Sequence, residues 1–180
     1  MMTHINSYNV LDKFKNMSVD EIRQHYLNNR ISAAIAMSHM EHDFNLSNVI
    51  RTDNFFGLRE AYYVGGKKHW DRRGSVGTHH YTPISYCENE EIFWEIVEKK
   101  GYIPIAVENN IEFECKNIFN YVWPLNPIII FGEEMTGIPT SVLKRCRDIV
   151  TIPSFGSVRS LNVGSAAAVA ISMFRRQICE

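Results

Sequence analysis

Residues 127–139 read PIIIFGEEMTGIP, and this stretch indicates the fold class. An apolar run with three β-branched residues in a row predicts a buried strand at residues 127–131. Gly132 and Gly137 then predict a turn, and Pro139 suits the start of a helix. A buried strand that leads through a turn into a helix is typical of a parallel sheet covered by helices.

The same alternation of short apolar strands and helices extends over the rest of the chain. Further strands are predicted at residues 31–37, 60–64, 103–107 and 149–152, and helices at residues 18–27, 46–56, 88–100, 139–145 and 160–177. Residues 65–82 predict a long surface loop, and residues 108–126 are predicted to be irregular. We expect an α/β fold, with a mostly parallel sheet flanked by helices at residues 31–180 and an N-terminal helical extension at residues 1–30.

The charge balance limits how the protein can interact with nucleic acids. The 180 residues carry 19 Lys and Arg against 20 Asp and Glu, a net charge of -1. This excludes a protein that binds nucleic acid over much of its surface. The distribution is uneven, however, because residues 67–73 carry four cations and one acid, whereas residues 88–100 carry five Glu and two Lys. A local basic surface is therefore compatible with the composition.

The cysteines and the apolar runs indicate a cytoplasmic protein. The four cysteines lie about 30 residues apart without a CxxC pair, which is typical of reduced thiols and not of a zinc knuckle or a disulfide-rich fold. The N-terminus lacks the apolar stretch of a signal peptide, and the uncharged run at residues 161–174 is too short to span a bilayer. His39 and His42 lack a third ligand nearby. We expect neither a membrane role nor a metal.

Two segments break local rules at predicted strand ends, where open α/β sheets bind ligands. Within residues 45–57, Arg51 lies on a largely apolar helix and must reach solvent, a carboxylate or an anionic ligand. The alternative is an arginine that extends from an amphipathic helix into solvent. Within residues 131–139, the two glycines allow close approach of a ligand to the backbone, although neither a P-loop nor a dinucleotide-binding fingerprint is present. A plain turn is the alternative there.

A third segment, residues 152–168, reads IPSFGSVRSLNVGSAAA. A strand ends at a proline, a glycine-containing loop follows, and Ser160 and Asn162 precede a helix of small residues. Serine and asparagine are common helix caps, which is the plain structural explanation. The small residues additionally allow another backbone to pack very close to this helix.

The three segments in this order resemble the signature motifs of the SpoU (TrmH) branch of the SPOUT methyltransferases. The motifs are Asn-x5-Arg-Thr, GxExxGIP after a strand, and IPxxGxxxSLNV before a small-residue helix, and the resemblance covers residues 31–177. It implies transfer of a methyl group from S-adenosylmethionine to a ribose 2′-hydroxyl of tRNA or rRNA. It further implies a homodimer, a deep C-terminal trefoil knot that holds the cofactor, and no metal.

The resemblance also implies roles for individual residues. The implied cofactor contacts are Val107, Phe131, Gly132, Gly137, Ile152, Pro153 and Leu161. The implied catalytic set is Asn45, Arg51, Glu134, Ser160 and Asn162. The family's arginine either accepts the proton of the hydroxyl or holds an RNA phosphate. Because a guanidinium gives up its proton only at very high pH, we favour the phosphate role for Arg51, with Glu134 and Asn162 fixing the arginine, the loop and the cofactor.

The loop at residues 65–82 interleaves cations with aromatic residues, a composition suited to phosphate contacts and base stacking. The candidate RNA contacts are Lys67, Lys68, Trp70, Arg72 and Arg73. A solvated, mobile loop is the alternative. The short N-terminal extension is similar to that of tRNA-modifying members, particularly those that methylate a D-loop guanosine.

Two other functions remain to be weighed. The first is a catalytically silent RNA-binding or assembly protein on the same scaffold. The second is a nucleotide-binding α/β enzyme, which the absence of a phosphate-binding motif disfavours.

Overall fold

The structure, a computed structural model, describes residues 9–38, 43–66, 69–109 and 112–179. The strands are β1 (Ile31–Ser38), β2 (Leu58–Val64), β3 (Ile84–Cys87), β4 (Ile103–Val107), β5 (Lys116–Asn117), β6 (Pro127–Phe131) and β7 (Asp148–Thr151). The α-helices are α1 (Val19–Asn29), α2 (Asp43–Phe56), α3 (Glu90–Lys100), α4 (Thr140–Leu143) and α5 (Val163–Cys179). Among the described residues, no helix combines the length and hydropathy needed to cross a bilayer.

The strands form one sheet in the order β3-β2-β1-β6-β4-β7-β5, and every pair is parallel. The predicted α/β class with a mostly parallel sheet is therefore confirmed. Phe131 at the end of β6 lies beside Met37 of β1 and Val107 of β4, and Val107 in turn pairs with Val150 of β7. The carboxyl ends of four neighbouring strands thus meet at one edge of the sheet.

Helices cover both faces of this sheet. Along β6, Ile129 and Phe131 pack into a cluster with residues of α2 and α5, whereas Ile128 and Ile130 face a cluster that includes residues of α3 and α4. This alternation follows from the two-residue period of a strand. Since both faces are buried, β6 carries the continuous apolar sequence that its position requires.

The N-terminal residues form a small third cluster beside the main domain. Helix α1 begins with the predicted capping box, in which the Ser18 N–H donates to Glu21 (2.7 Å) and the Glu21 N–H donates to Ser18 Oγ (3.3 Å). Phe14 and Ile22 are buried with Tyr81, which lies just before β3. These contacts attach α1 to the segment between β2 and β3.

The prediction of a surface loop at residues 65–82 is wrong in part. Ser75, Thr78 and Thr82 are buried, and two short 3-10 turns, Arg73–Ser75 and Thr78–His80, lie within the segment. Hydroxyl groups satisfy its backbone, since Thr78 Oγ1 donates to the Ser75 carbonyl (2.6 Å) and Thr82 Oγ1 donates to that of Thr78 (3.0 Å). The segment can therefore be buried without regular secondary structure.

Candidate active site

A cleft of about 260 Å³ opens at the carboxyl ends of β4 and β6. Six of the seven predicted cofactor residues line it, namely Val107, Phe131, Gly132, Gly137, Ile152 and Leu161. The seventh, Pro153, follows Ile152 and is not among the lining residues that the structure describes. The predicted set thus converges on one cavity at the edge where the strands end.

The loop that follows β6 folds tightly back on itself beneath this cleft. A Cβ atom at Gly132 would overlap the carbonyl carbon of Gly137, so no side chain fits there. Gly137 has a φ of +69° and donates its N–H to the Glu133 carbonyl at 2.9 Å. Positive φ favours glycine, and the missing side chains let the loop pack against its own backbone at Gly132 and against the Glu108 carboxylate at Gly137. We call this tight turn from Gly132 to Gly137, which lines the cleft, the glycine cradle.

Two polar residues at the cleft were missed by the sequence analysis. Glu108 Oε2 accepts the Ile138 N–H at 2.8 Å, which fixes the end of the glycine loop. Asn109 accepts the Thr151 hydroxyl at 2.7 Å and donates to the Arg159 carbonyl at 3.2 Å. Both residues directly follow β4, so their position after a predicted strand was the signal that could have identified them.

Three members of the predicted catalytic set lie in direct contact. Asn45 Nδ2 donates to Glu134 Oε2 at 3.1 Å, and Asn162 Nδ2 donates to the same oxygen at 3.3 Å and to Asn45 Oδ1 at 2.9 Å. The Gly164 N–H donates to Asn162 Oδ1 at 2.9 Å at the start of α5. This network joins α2, the loop after β6 and α5. Glu134 and Ser160 also line the cleft.

Arg51 lies away from this network. It is six residues beyond Asn45 on α2, which places it about 9 Å along the helix axis and about 120° around it. Its side chain is exposed and lines a second cavity, of about 530 Å³, next to the N-terminal residues. Within the described part of the chain, Arg51 makes no hydrogen bond or ion pair. Arg51, the arginine of the predicted set, is therefore not among the described residues that line the cleft.

The structure describes three of the five candidate RNA contacts, because Lys67 and Lys68 lie outside the described residues. Trp70 packs partly against the main core, and the Arg72 guanidinium lies 5.8 Å from its ring centroid. Arg73 is paired with Asp71 at 2.6 Å, and its hydrogen bonds lower the pKa of Asp71 to about 2. The Arg73 charge is thus partly neutralised within the loop, whereas Arg72 is exposed.

Comparisons with known proteins point to one family. The model of the SpoU rRNA Methylase family matches residues 32–172. An uncharacterized tRNA/rRNA methyltransferase of Archaeoglobus fulgidus is 28% identical over 74% of this chain and 59% of its own length. The tRNA (guanosine(18)-2′-O)-methyltransferase of Thermus thermophilus is 25% identical over 79% of this chain and 74% of its length. Mouse TARBP1, a tRNA (guanosine(18)-2′-O)-methyltransferase, is 29% identical over 74% of this chain but only 9% of its own.

Solved structures share the fold. The SpoU methyltransferase AviRb of Streptomyces viridochromogenes, in complex with AdoMet, superposes with a TM-score of 0.76 at 19% identity, over 87% of this chain and 62% of its own. The TrmH/SpoU tRNA modifying enzyme of A. aeolicus superposes with a TM-score of 0.76 at 19% identity, over 88% of this chain and 81% of its own. The family model covers most of the chain, including all three motif segments. The chain therefore belongs to the SpoU rRNA Methylase family.

Proposed function

We propose that this protein is an S-adenosylmethionine-dependent RNA methyltransferase that modifies a ribose 2′-hydroxyl. The observation that carries the proposal is the joining of the glycine cradle to the network of Asn45, Glu134 and Asn162 at one edge of the sheet. A cofactor cradle alone would suit many ligands. An assembled polar network beside it is what a catalytically silent RNA-binding protein would not need.

The residues of the cleft fit S-adenosylmethionine. Phe131 and Val107 offer apolar walls for an adenine ring, and Gly132 and Gly137 line the same cleft. Leu161, at the cleft but substantially exposed, would close over the ligand. When bound, the cofactor supplies a sulfonium methyl group for transfer to an oxygen nucleophile.

The polar network holds groups in position for that transfer. The amides of Asn45 and Asn162 both donate to Glu134 Oε2, so the carboxylate is held in one orientation beside the cleft. Ser160 contributes a hydroxyl at the rim. Much of the rate of such a reaction comes from holding the reacting atoms in line. The hydroxyl proton must also pass to a base as the new bond forms, and an RNA phosphate oxygen can accept it if a further group, a cation, holds that phosphate in place.

We assign that further group to Arg51 of the partner subunit in a homodimer. Arg51 is exposed, lies on another face of α2 and has no partner among the described residues, so it is free to reach a neighbouring cleft. Its permanent positive charge suits an RNA phosphate next to the reacting ribose better than the role of a base. Each active site would then be composite, because one subunit provides the cleft and its partner provides Arg51.

A tRNA is the favoured substrate, with the D-loop guanosine as the first candidate. Relatives from Thermus thermophilus, Aquifex aeolicus and Escherichia coli carry the name tRNA (guanosine(18)-2′-O)-methyltransferase at 23–25% identity. The family's own description names rRNA, which is the second candidate. The exposed Arg72 and the neighbouring Trp70 support RNA contact by the loop before β3. Such an enzyme would act in the cytoplasm.

Two structural predictions belong to this proposal. The first is that residues 31–180 form the catalytic domain and residues 1–30 an extension to it. The second is that the chain after β7 is threaded as a deep knot. The approach of the Asn109 side chain to both Thr151 and Arg159 supports a closely wrapped C-terminal segment.

The test is methyl transfer from isotopically labelled S-adenosylmethionine to unmodified tRNA and rRNA transcripts, followed by mass spectrometry of the nucleosides. We expect 2′-O-methylated nucleosides with the wild type and a loss of about 100-fold or more with Asn162→Ala. Asn120→Ala, which changes an exposed asparagine outside the lining of the cleft, is the matched control and should retain full activity. Methylation of a base, or no transfer to either RNA, would contradict the proposal.

A further inference from the structure

The cavity beside Arg51 is larger than the cleft and has different walls. Its volume is about 530 Å³, within the usual range of ligand-binding pockets. The N-terminal residues Leu11, Phe14 and Tyr26 form one side, and Arg51 and Phe55 of α2 contribute to the other. The extension is therefore part of this cavity and not merely attached to the catalytic domain.

One turn of α2 presents a cation and an aromatic ring to the cavity. Phe55 is 82% exposed, and it follows Arg51 by four residues, so both side chains lie on the same helical face. Phe56, whose ring centroid is 5.1 Å from that of Phe55, packs against the main core. Arg51 and Phe55 therefore place a cation and an exposed aromatic ring side by side at the edge of the cavity.

The charge of the cavity specifies the ligand further. Among the described residues that line it, Arg51 alone carries a charge, and no carboxylate is present to neutralise it. The remaining lining is largely aromatic and aliphatic. The cavity is therefore complementary to a ligand that combines a flat ring with an anionic group. A nucleotide unit of a single-stranded RNA has both.

We propose that this cavity receives an unstacked base of the RNA substrate, which stacks on Phe55 while Arg51 contacts an adjoining phosphate. This inference rests on the proposed function and assigns the N-terminal extension a part in substrate recognition. Sequence-specific RNA binding commonly uses unstacked bases that lie against aromatic rings and arginine planes. Such a base would belong to a nucleotide near the methylated one, since Arg51 is also the arginine assigned to the reaction.

The attachment of the extension makes the pocket wall rigid before RNA binds. The rings of Tyr26 and Tyr81 stack with centroids 6.3 Å apart, and Arg30 Nη2 donates to the Tyr81 carbonyl at 3.0 Å. Arg23 Nη2 donates to the His80 carbonyl at 2.7 Å. A preformed pocket lowers the entropic cost of binding. The described residues of the extension are thus held in place as one wall of the pocket proposed for the base.

The test is fluorescence anisotropy with a fluorescein-labelled, unmodified tRNA transcript. Because stacking on an aromatic side chain is sequence-tolerant and substantial, Phe55→Ala should weaken RNA binding roughly 5- to 150-fold. Phe55→Trp should retain the affinity, whereas Phe55→Leu, which is apolar but cannot stack, should not. Leu125→Ala is the matched control, since Leu125 is 83% exposed and lies outside the cavity lining.

The salt dependence of RNA affinity distinguishes the proposed stacking on Phe55 from the proposed phosphate contact of Arg51. Phe55→Ala should leave the slope of log affinity against log salt unchanged, whereas Arg51→Ala should reduce its magnitude by about 0.7–0.9 if one phosphate contact is lost. Affinity for S-adenosylmethionine, measured by calorimetry, should be unchanged in every Phe55 variant. Phe55 is exposed, so its variants should fold, and circular dichroism with thermal unfolding checks this for Phe55→Ala and Phe55→Leu separately.

Three results would overturn the inference. If the Phe55→Ala and Phe55→Leu variants bind RNA as tightly as the wild type, no base stacks on Phe55. Dissociation of Phe55→Ala into monomers in light scattering without RNA would show that a second copy of the chain covers this face. If the wild type does not bind RNA, the cavity cannot be a pocket for an RNA base. If the wild type methylates RNA but the Phe55 variants are unaffected, the pocket assignment fails and the proposed function stands.

Discussion

Gly132 occupies a position where a side chain would collide with the backbone of its own loop. A Cβ atom would overlap the carbonyl carbon of Gly137, so Gly132→Ala must displace the cradle. We expect the substitution to lower the free energy of unfolding by about 1–3 kcal/mol. It should also weaken S-adenosylmethionine binding about tenfold or more. Urea denaturation and calorimetry measure the two effects.

Gly156→Ala is the matched control, because a Cβ atom at Gly156 meets no heavy atom within 4 Å. Both its stability and its cofactor affinity should match the wild type. A Gly132→Ala protein that bound the cofactor normally would show that the loop after β6 is not the cradle.

Asp53 on α2 is fully buried, and neither of its carboxylate oxygens has a hydrogen-bond partner among the described residues. Burial raises the pKa of Asp53 to about 7, against the smaller opposing effect of the Arg30 charge. The folded protein therefore keeps a proton that the unfolded chain, at the ordinary pKa of 3.8, releases. The resulting stability is complete below about pH 4 and is lost as pH rises to about 7.

Asp53→Asn should remove this dependence, because an amide does not titrate in this range. From pH 5 to pH 8 the free energy of unfolding of the wild type should fall relative to that of the variant. Urea denaturation of both proteins at unit pH intervals measures the difference between their free energies of unfolding. Only the change of this difference with pH is used, so any effect of the substitution that is the same at every pH does not matter. A constant difference across the range would contradict the raised pKa.

At the scale of elements, the structure confirms the predictions that rest on the strongest local signals. The apolar run of β6 and the capping box of α1 are both local, and both are found where predicted. Strand β3 was missed because its four residues are stabilised by pairing with β2, which no local pattern reveals. The start of α5 was predicted three residues early, since Asn162 caps this helix from outside.

In the candidate site, too, some features have a local sequence signal and others depend on contacts between distant segments. Its glycines and its polar motif residues were selected from their order in the sequence, and six of the residues predicted to contact a cofactor line one cleft. The contacts that bring Asn45 to Glu134 and Asn162 join residues 89 and 117 positions apart, so only the fold reveals them. Glu108 could have been noticed from its position after β4, but its hydrogen bond to the Ile138 N–H, 30 residues away, is revealed only by the fold.

At the scale of the molecule, the helical geometry of α2 separates residues that one motif contains. Asn45 faces Glu134, whereas Arg51 is turned about 120° away and reaches the second cavity. Arg51 is therefore not among the described residues that line the cleft. The symmetric dimer that we propose would bring Arg51 of each subunit to the cleft of its partner, because each interface contact occurs twice.

Mixed dimers test this arrangement directly. Arg51→Ala and Asn162→Ala should each be inactive alone, because every cleft then lacks one of the two groups. After the two proteins are unfolded together and refolded, about half of the dimers combine both variants, and one cleft in each pairs an intact Asn162 with an intact Arg51. Methyl transfer should recover to about a quarter of the wild-type rate. If Arg51 served the cleft of its own subunit, every cleft in the mixture would lack one group and no activity would return.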